Sequence, residues 1–552
     1  MHTVAELLVD ILINDWNVDT LFGIPGNGVC GIMEALRIRQ DRIKFIQARH
    51  EEAAALMACG YAKMTGRLGV CIGSSGPGGV HLLNGLYDAK MDAAPVLAIT
   101  GMTEHQRIDT YSQQDICLDR LFQDVAVYNA RVMGADHAEA VVQLACRTAL
   151  ARKGVAHVTI PADFQNLPAK RLGGSTRRSA ASATTATEGL GNSFGNSFKD
   201  EQLKAAADLL NSGKSVAILA GQGALGASRE LTEVAEILGA PIVKTLLGKG
   251  TIPDDSAYSM GCLGLIGTLP AKHAMERCDT LLLVGTSFPY PEFLPRFPPT
   301  RAIQIDQHPE RLGLRCPIEV GITGNSAQVL SRLLPLLRRT EHRNFIDSLQ
   351  NEMKTWWKLM ESQGRKTTFP MKPQVPVWEL GKRLNPDAII ICDSGTSAAW
   401  WARQIPARSE QLFSLSGTLG TMGSGLPYAI AAQIAYPKRQ VVALIGDGSL
   451  SMLMAEISTC AKYQLPVKII VLKNNQFALT HWEQKVITGN SPYGCELQPI
   501  DFVKVAEACG VQAFSIKETE TCGKIIEQGL NQKNPILFEC SVDPEEFPIP
   551  EF

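Results

Sequence analysis

The chain has 552 residues, 45% of them apolar and 20% charged, with a formal net charge of -2. That length exceeds what one hydrophobic core supports and predicts about three domains. The near-neutral charge excludes the basic footprint of a nucleic-acid binder or a membrane-surface patch, and no apolar run approaches the roughly 20 residues of a spanning helix.

Met1 to Asp10 is amphipathic, carrying Glu6 and Asp10, and lacks the basic start and apolar centre of a signal peptide. From there to about Leu172 strand and helix signals alternate. Leu21 to Ile24 leads into Pro25-Gly26-Asn27-Gly28, and Phe45-Ile46 leads into His50-Glu51-Glu52 and a helix reaching Thr65. Leu68 to Ile72 leads into Gly73-Ser74-Ser75-Gly76-Pro77-Gly78-Gly79, and Pro95 to Thr100 is a further buried strand. Residues 173–200 are rich in Gly, Ser, Thr and Ala without a hydrophobic period, the composition of a linker.

A second block, 201–337, opens with a strand at Ser215 to Ala220, then Gly221-Gln222-Gly223-Ala224-Leu225-Gly226 and a helix to Leu238. This G-x-G-x-x-G stands in a strand–turn–helix setting. The next strand, Pro241 to Thr245, ends without the carboxylate that would hold an NAD ribose, so a nicotinamide dinucleotide is not expected. Thr280 to Val284 runs into Gly285-Thr286-Ser287-Phe288, and Ala302 to Ile305 ends at Asp306. A charged, Trp-containing stretch, 338–372, connects to a third block, 373–552, whose first strand, Ala388 to Cys392, ends in Asp393-Ser394-Gly395-Thr396. Three doubly wound α/β domains with parallel sheets are the economical architecture.

The third block carries the most informative spacing: Gly446-Asp447-Gly448, 25 residues, then Asn474-Asn475. Val441 to Ile445 before it and Val467 to Leu472 near its end read as buried strands. Ser451 to Tyr463 reads as the helix between, broken by Leu465-Pro466. A right-handed crossover lays the two strands side by side and brings Asp447 and Asn474 to one crevice. A carboxylate with an amide oxygen suits Mg²⁺ that also holds phosphates. The glycines admit a close ligand, and the helix N-terminus after Ser449 favours its negative charge. Taken alone, Gly-Asp-Gly is a common turn; the flanking strands are what give it weight. Glu51 by itself is equally a charge matched to a helix N-terminus. His81, His105 and His481 read as solvated or structurally satisfied. The fourteen cysteines form no C-x-x-C pair, and several (Cys71, Cys392, Cys540) lie in apolar runs. Buried thiols and a cytoplasmic location are therefore expected.

The Gly446–Asn475 segment resembles the diphosphate motif of thiamine diphosphate enzymes, in which the Asp, the first Asn and a main-chain oxygen two residues later hold Mg²⁺. Those positions are Asp447, Asn474 and Gln476. The run RHEEAAALMACGYAKMTGRLGVCIGSSGPGGVHLLNGLYDAKMDAAPVLAITG resembles pyruvate oxidases closely and acetolactate synthases more loosely. It implies that Glu51 hydrogen-bonds the aminopyrimidine ring and, as a carboxyl favoured in its neutral form by burial, relays a proton so that thiazolium C2 can be deprotonated. In LGTMGSGLPYAIAAQ the resemblance implies that Met422 wedges under the bent cofactor while the Gly420 carbonyl accepts from its amino group. Further contacts implied are Gly26 and Asn27 on the pyrimidine side, and Ser394, Gly395, Thr396, Gly446, Gly448 and Ser449 on the diphosphate side. Gln114, Leu479 and Glu483 are implied near the substrate.

GLIGTLPAKHAM, LLLVGTSFPYPEF and IQIDQHPERLG are similar to the FAD-binding middle domain of the quinone-linked pyruvate dehydrogenase and pyruvate oxidase group. They imply FAD contacts at Gly221, Gly223, Thr286 and Asp306. The pattern departs from its relatives at three places. Gln113-Gln114-Asp115 stands where the oxidases have Phe-Gln-Glu, and Ser287 stands where the synthases carry the Arg that selects a second 2-oxo acid. The chain also stops at Phe552, so the lipid-binding tail of the quinone enzymes is not expected. Leu479-Thr480-His481-Trp482 is similar to a tryptophan-bearing stretch of the synthases, which keeps a carboligase in view. The expectation is decarboxylation of a short 2-oxo acid such as pyruvate with electrons passing to FAD, in a homodimer or homotetramer with sites between subunits. A non-redox carboligase is the alternative, and intact Glu51, Asp447 and Asn474 count against a binding protein without turnover.

Overall fold

The computed structural model describes residues 2–171 and 198–548; the stretch read as a linker lies almost wholly outside them. Three six-stranded sheets, parallel throughout, carry the architecture. The first takes strands Thr20–Gly23, Lys44–Gln47, Gly69–Gly73, Val96–Met102, Ala126–Arg131 and Val155–Pro161. The second takes Val216–Ala220, Ile242–Lys244, Ser259–Cys262, Thr280–Val284, Arg301–Asp306 and Val320–Thr323. The third takes Ile389–Cys392, Leu412–Ser414, Val441–Gly446, Lys468–Lys473, Gln512–Ile516 and Ile536–Ser541. Counting each sheet's strands in chain order, the first and third sheets both run 2-1-3-4-6-5, while the middle one runs 3-2-1-4-5-6. Two outer domains thus share one topology, and the inner one has the order of dinucleotide-binding sheets.

Central strands such as Val441–Gly446 are nearly continuous apolar runs because helices cover both faces of a parallel sheet. The first and third sheets share a core, in which Phe22, Ala55 and Cys71 pack with Ile389, Ala429 and Val441. Its seam is helix Glu51–Thr65 against helix Gly425–Ala435. Both are built largely of Ala and Gly, and a Cβ on Gly60 would stand 3.0 Å from the backbone of Tyr428. Small side chains are what allow that approach. At the N-terminus, Thr3 and Glu6 form a capping box that starts helix Val4–Trp16.

One local expectation is corrected. The crossover helix begins at Asp447, four residues before Ser451, and a 3₁₀ turn at Met454–Glu456 splits it into Asp447–Leu453 and Ile457–Lys462. The G-x-G-x-x-G itself holds a 3₁₀ turn, Gln222–Ala224, and the expected helix follows it as Ser228–Leu238. The stretch read as a connector contains helix Asn344–Gly364, whose Ile346, Leu349, Met353, Trp356 and Met360 pack on the middle sheet's core.

Candidate active site

In the third sheet, the order in which strands are added reverses between the parallel strands Ile389–Cys392 and Val441–Gly446, the position where doubly wound folds bind ligands beyond the strand ends. A cavity of about 250 Å³ opens there. Ser394, Gly395 and Thr396 from the first strand end line it, as do Gly446, Asp447, Gly448 and Ser449 from the second. Asn474 and Gln476 come from the neighbouring strand, which pairs with Val441–Gly446 in parallel register. Between them Asn475 takes a left-handed φ of 57°, a sharp turn that lets both its neighbours reach the cavity. Gly420, Met422 and Leu479 complete the wall; Glu483, one turn further along helix Ala478–Thr488, does not line it.

Burial pushes the Asp447 carboxyl up to about 6, against the pull of the Asn475 N–H, which donates to it at 2.7 Å. The Asn474 amide oxygen accepts from Gln476 N at 3.2 Å. A Cβ on Gly395, Gly420 or Gly446 would meet nothing within 4 Å, so all three leave open volume on the cavity side. Hard oxygens, missing side chains and the N-terminus of helix Thr396–Gln404 together fit a diphosphate with a divalent cation.

Sequence reasoning missed Asp393. Fully buried, it accepts from the backbone N–H groups of Ser394 (2.7 Å), Gly423 (3.1 Å) and Gly425 (2.9 Å), tying the loop of Gly420 and Met422 to the strand end; burial pushes it up to about 6. Asp92 of the first domain holds the same loop from its other end. It accepts from Gly417 N at 2.9 Å and Thr418 N at 2.8 Å and pairs with buried Lys63 at 2.6 Å. A carboxylate ending a buried strand was the available signal for Asp393; nothing local distinguishes Asp92.

Glu51, Gln114, Gly26 and Asn27 do not line that cavity; they gather around residues 74–78, the loop that leaves strand Gly69–Gly73 beside the first sheet's reversal point. Asn27 Oδ1 accepts from Gly28 N at 2.9 Å, and Ser74 Cβ lies 2.5 Å from where a Cβ on Gly26 would stand. Gln114, with φ 61°, accepts from Ser75 Oγ at 2.8 Å and packs on Gly76. Glu51 is the first residue of its helix and faces Gly78. His81, read as solvated or structurally satisfied, is part-exposed and has a hydrogen-bonding partner. Its Nδ1 lies 3.0 Å from Glu51 Oε2, and its ring stacks on His50 at 4.6 Å between centroids.

Of the flavin contacts implied by resemblance, Gly221, Gly223 and Thr286 meet at the middle sheet's reversal point, between Val216–Ala220 and Thr280–Val284. Their glycines serve loop packing: a Cβ on Gly221 would stand 2.5 Å from Thr286 Cβ, and one on Gly223 would stand 2.8 Å from Gly285 Cα. Asp306 ends the adjacent strand and accepts from His308 N at 2.9 Å.

Family profiles for the thiamine pyrophosphate enzymes match three times. The N-terminal TPP binding domain covers residues 2–122, the central domain 203–333 and the C-terminal TPP binding domain 393–540. The chain is 40% identical to the "Putative thiamine pyrophosphate-containing protein YdaP" of Bacillus subtilis, spanning 100% of this chain and 93% of that protein. It is 33% identical to the pyruvate oxidase of Lactiplantibacillus plantarum (98% and 89%). A "Probable acetolactate synthase large subunit" of Methanococcus aeolicus is 29% identical (98% and 92%). With its three domains and the cavity walls in place, the chain belongs to the thiamine pyrophosphate enzymes.

Proposed function

We propose that the protein decarboxylates a short 2-oxo acid, pyruvate being the leading candidate, and passes the electrons to FAD. When bound, thiamine diphosphate supplies a carbon nucleophile for the 2-oxo carbonyl and a place for the electrons released as carbon dioxide leaves. Asp447, Asn474 and the Gln476 carbonyl would hold Mg²⁺, and the glycine-lined strand ends would receive the diphosphate. Met422, on a loop fixed by Asp393 and Asp92, would set the cofactor's bend. Glu51 would hold and move the proton at the aminopyrimidine ring, oriented by His81. Leu479 would give the substrate end an apolar wall that excludes water. Gln114, held by Ser75 on the loop whose Gly78 faces Glu51, would act in that half-site.

The observation that carries the redox reading is the middle sheet. Its 3-2-1-4-5-6 order puts Gly221 and Thr286 at the crevice where such sheets bind dinucleotides, and FAD there would supply a two-electron acceptor. Ser287, in place of the synthases' Arg, disfavours capture of a second 2-oxo acid. The carboligase reading keeps support from relatives named as acetolactate synthases. Anaerobic mixing with pyruvate discriminates, with flavin absorbance followed while acetolactate is assayed. Rapid bleaching with little acetolactate is expected. Unbleached flavin with steady acetolactate, or a colourless protein that makes the carbon–carbon bond, would replace this reading with the carboligase.

A further inference from the structure

The segment that delivers Glu51 is held by side chains from the far end of the chain. Strand Lys44–Gln47 ends at a turn, and Glu51 opens the helix after it. Glu456, wholly buried, reaches this turn from the 3₁₀ break in the crossover of the third sheet. Its Oε1 accepts from Arg49 N at 2.7 Å and from His50 N at 3.2 Å, while Oε2 accepts from Thr459 Oγ1 at 2.6 Å. Two turns on, Tyr463 OH accepts from Gln47 N at 2.8 Å. The backbone just before Glu51 is thus bonded to the crossover whose two ends carry Asp447 and Asn474.

A buried carboxylate is costly unless its oxygens are filled, and here Oε1 is filled by backbone donors of another domain and Oε2 by the Thr459 hydroxyl of its own. A nonpolar side chain would pack this seam without that cost, so burial alone does not explain a Glu at 456. We propose that Glu456 is a positioning residue. By fixing the Arg49 and His50 amides, it sets the place and direction of Glu51, and it joins the metal–diphosphate end of the third domain mechanically to the proton-transfer end of the first. This rests on the role proposed for Glu51.

Two substitutions in the full-length protein separate reach from charge. Glu456→Asp keeps the charge but withdraws the oxygens by about 1.5 Å. Glu456→Gln loses the charge but keeps one oxygen at the original reach. In the cofactor-free protein, amide hydrogen exchange at Arg49 and His50 should rise about tenfold in Glu456→Asp and stay near wild type in Glu456→Gln. With thiamine diphosphate and Mg²⁺ bound, C2 hydrogen–deuterium exchange should slow about 10- to 100-fold in Glu456→Asp, with cofactor affinity held within about threefold. Glu456→Gln should restore most of that rate. Wild-type C2 exchange in Glu456→Asp, or equal slowing in Glu456→Gln, would overturn the proposal. So would a loss of cofactor affinity and melting temperature in step with the rate, which marks a merely structural contact. Glu51→Gln is the control: if it slows exchange and Glu456→Asp does not, the positioning role alone falls. If Glu51→Gln exchanges at the wild-type rate, the role of Glu51 falls and the proposal falls with it.

Discussion

At the scale of single residues, the cavity turns on Asp447. It is buried, its carboxyl is pushed up to about 6, and it lies beside two further hard-oxygen groups. Mg²⁺ held there would favour its charged form. Because even supporting partners of metal sites are worth about 10–100-fold, Asp447→Ala should lower Mg²⁺–thiamine diphosphate affinity by about 100-fold, with the fold retained. Calorimetric titration checks this; unchanged affinity would remove Asp447 from the metal site. Asp447 and Asn474 were legible because a fixed spacing was flanked by two apolar strands, so register alone brought them together. Asp393, Asp92 and Glu456 were not. Each acts through a partner that no local pattern names, such as Gly423 for Asp393, Gly417 for Asp92 or Arg49 for Glu456.

At the scale of elements, strands buried on both faces announce themselves as Val- and Ile-rich runs, which is why Val441–Gly446 and Thr280–Val284 were readable to within a residue. Ala126–Arg131 was not, because as an edge strand it is half-buried along its whole length and carries Asn129 and Arg131. The crossover helix starts earlier than its apolar pattern because its first turn is occupied by the cavity-lining Asp447, Gly448 and Ser449. One polar group inside the first sheet predicts a pH response. His157, buried on Val155–Pro161, bridges both neighbouring strands. Nδ1–H donates to Asn129 Oδ1 at 2.8 Å, Nε2 accepts from Thr100 Oγ1 at 2.8 Å, and Phe122 stacks on the ring at 3.9 Å. Both nitrogens are engaged as a neutral ring and burial opposes charge, so its pKa falls from 6.5 to about 3. The unfolded chain binds that proton first. The stability from a neutral His157 is therefore full above about pH 6.5 and is lost as pH falls toward 3, by about 1.4 kcal/mol per pH unit. Denaturant melts from pH 7 to 4 should show a shallower acid loss in His157→Gln than in wild type. Equal slopes would mean that this histidine does not set the acid limit.

At the scale of the whole molecule, the first and third domains repeat one topology and are fused through a common core, yet their candidate site residues do not meet in one cavity of one chain. Asp447 stands at the reversal point of its sheet and Glu51 at the start of the helix after the first sheet's edge strand, so the two would form separate half-sites. Two chains related by a two-fold axis would place the first domain of each against the third domain of the other, which completes two equivalent sites and closes the assembly. The shared core makes this a demanding arrangement. A chain cannot move its Glu51 half without loading the seam of Ala- and Gly-rich helices and, through Glu456, the crossover of its own Asp447 half. Complementation tests the assembly without a structure of it. Glu51→Gln and Asp447→Ala proteins should each be nearly inactive. If sites form between chains, a mixed dimer has one doubly altered site and one unaltered site. Random exchange of equal amounts then restores about a quarter of wild-type activity. If each site forms within one chain, every site in the mixture carries one lesion and activity stays at the level of the separate proteins. Sedimentation of the same samples must show dimers or larger; fully active monomers would contradict the arrangement however the mixture behaves.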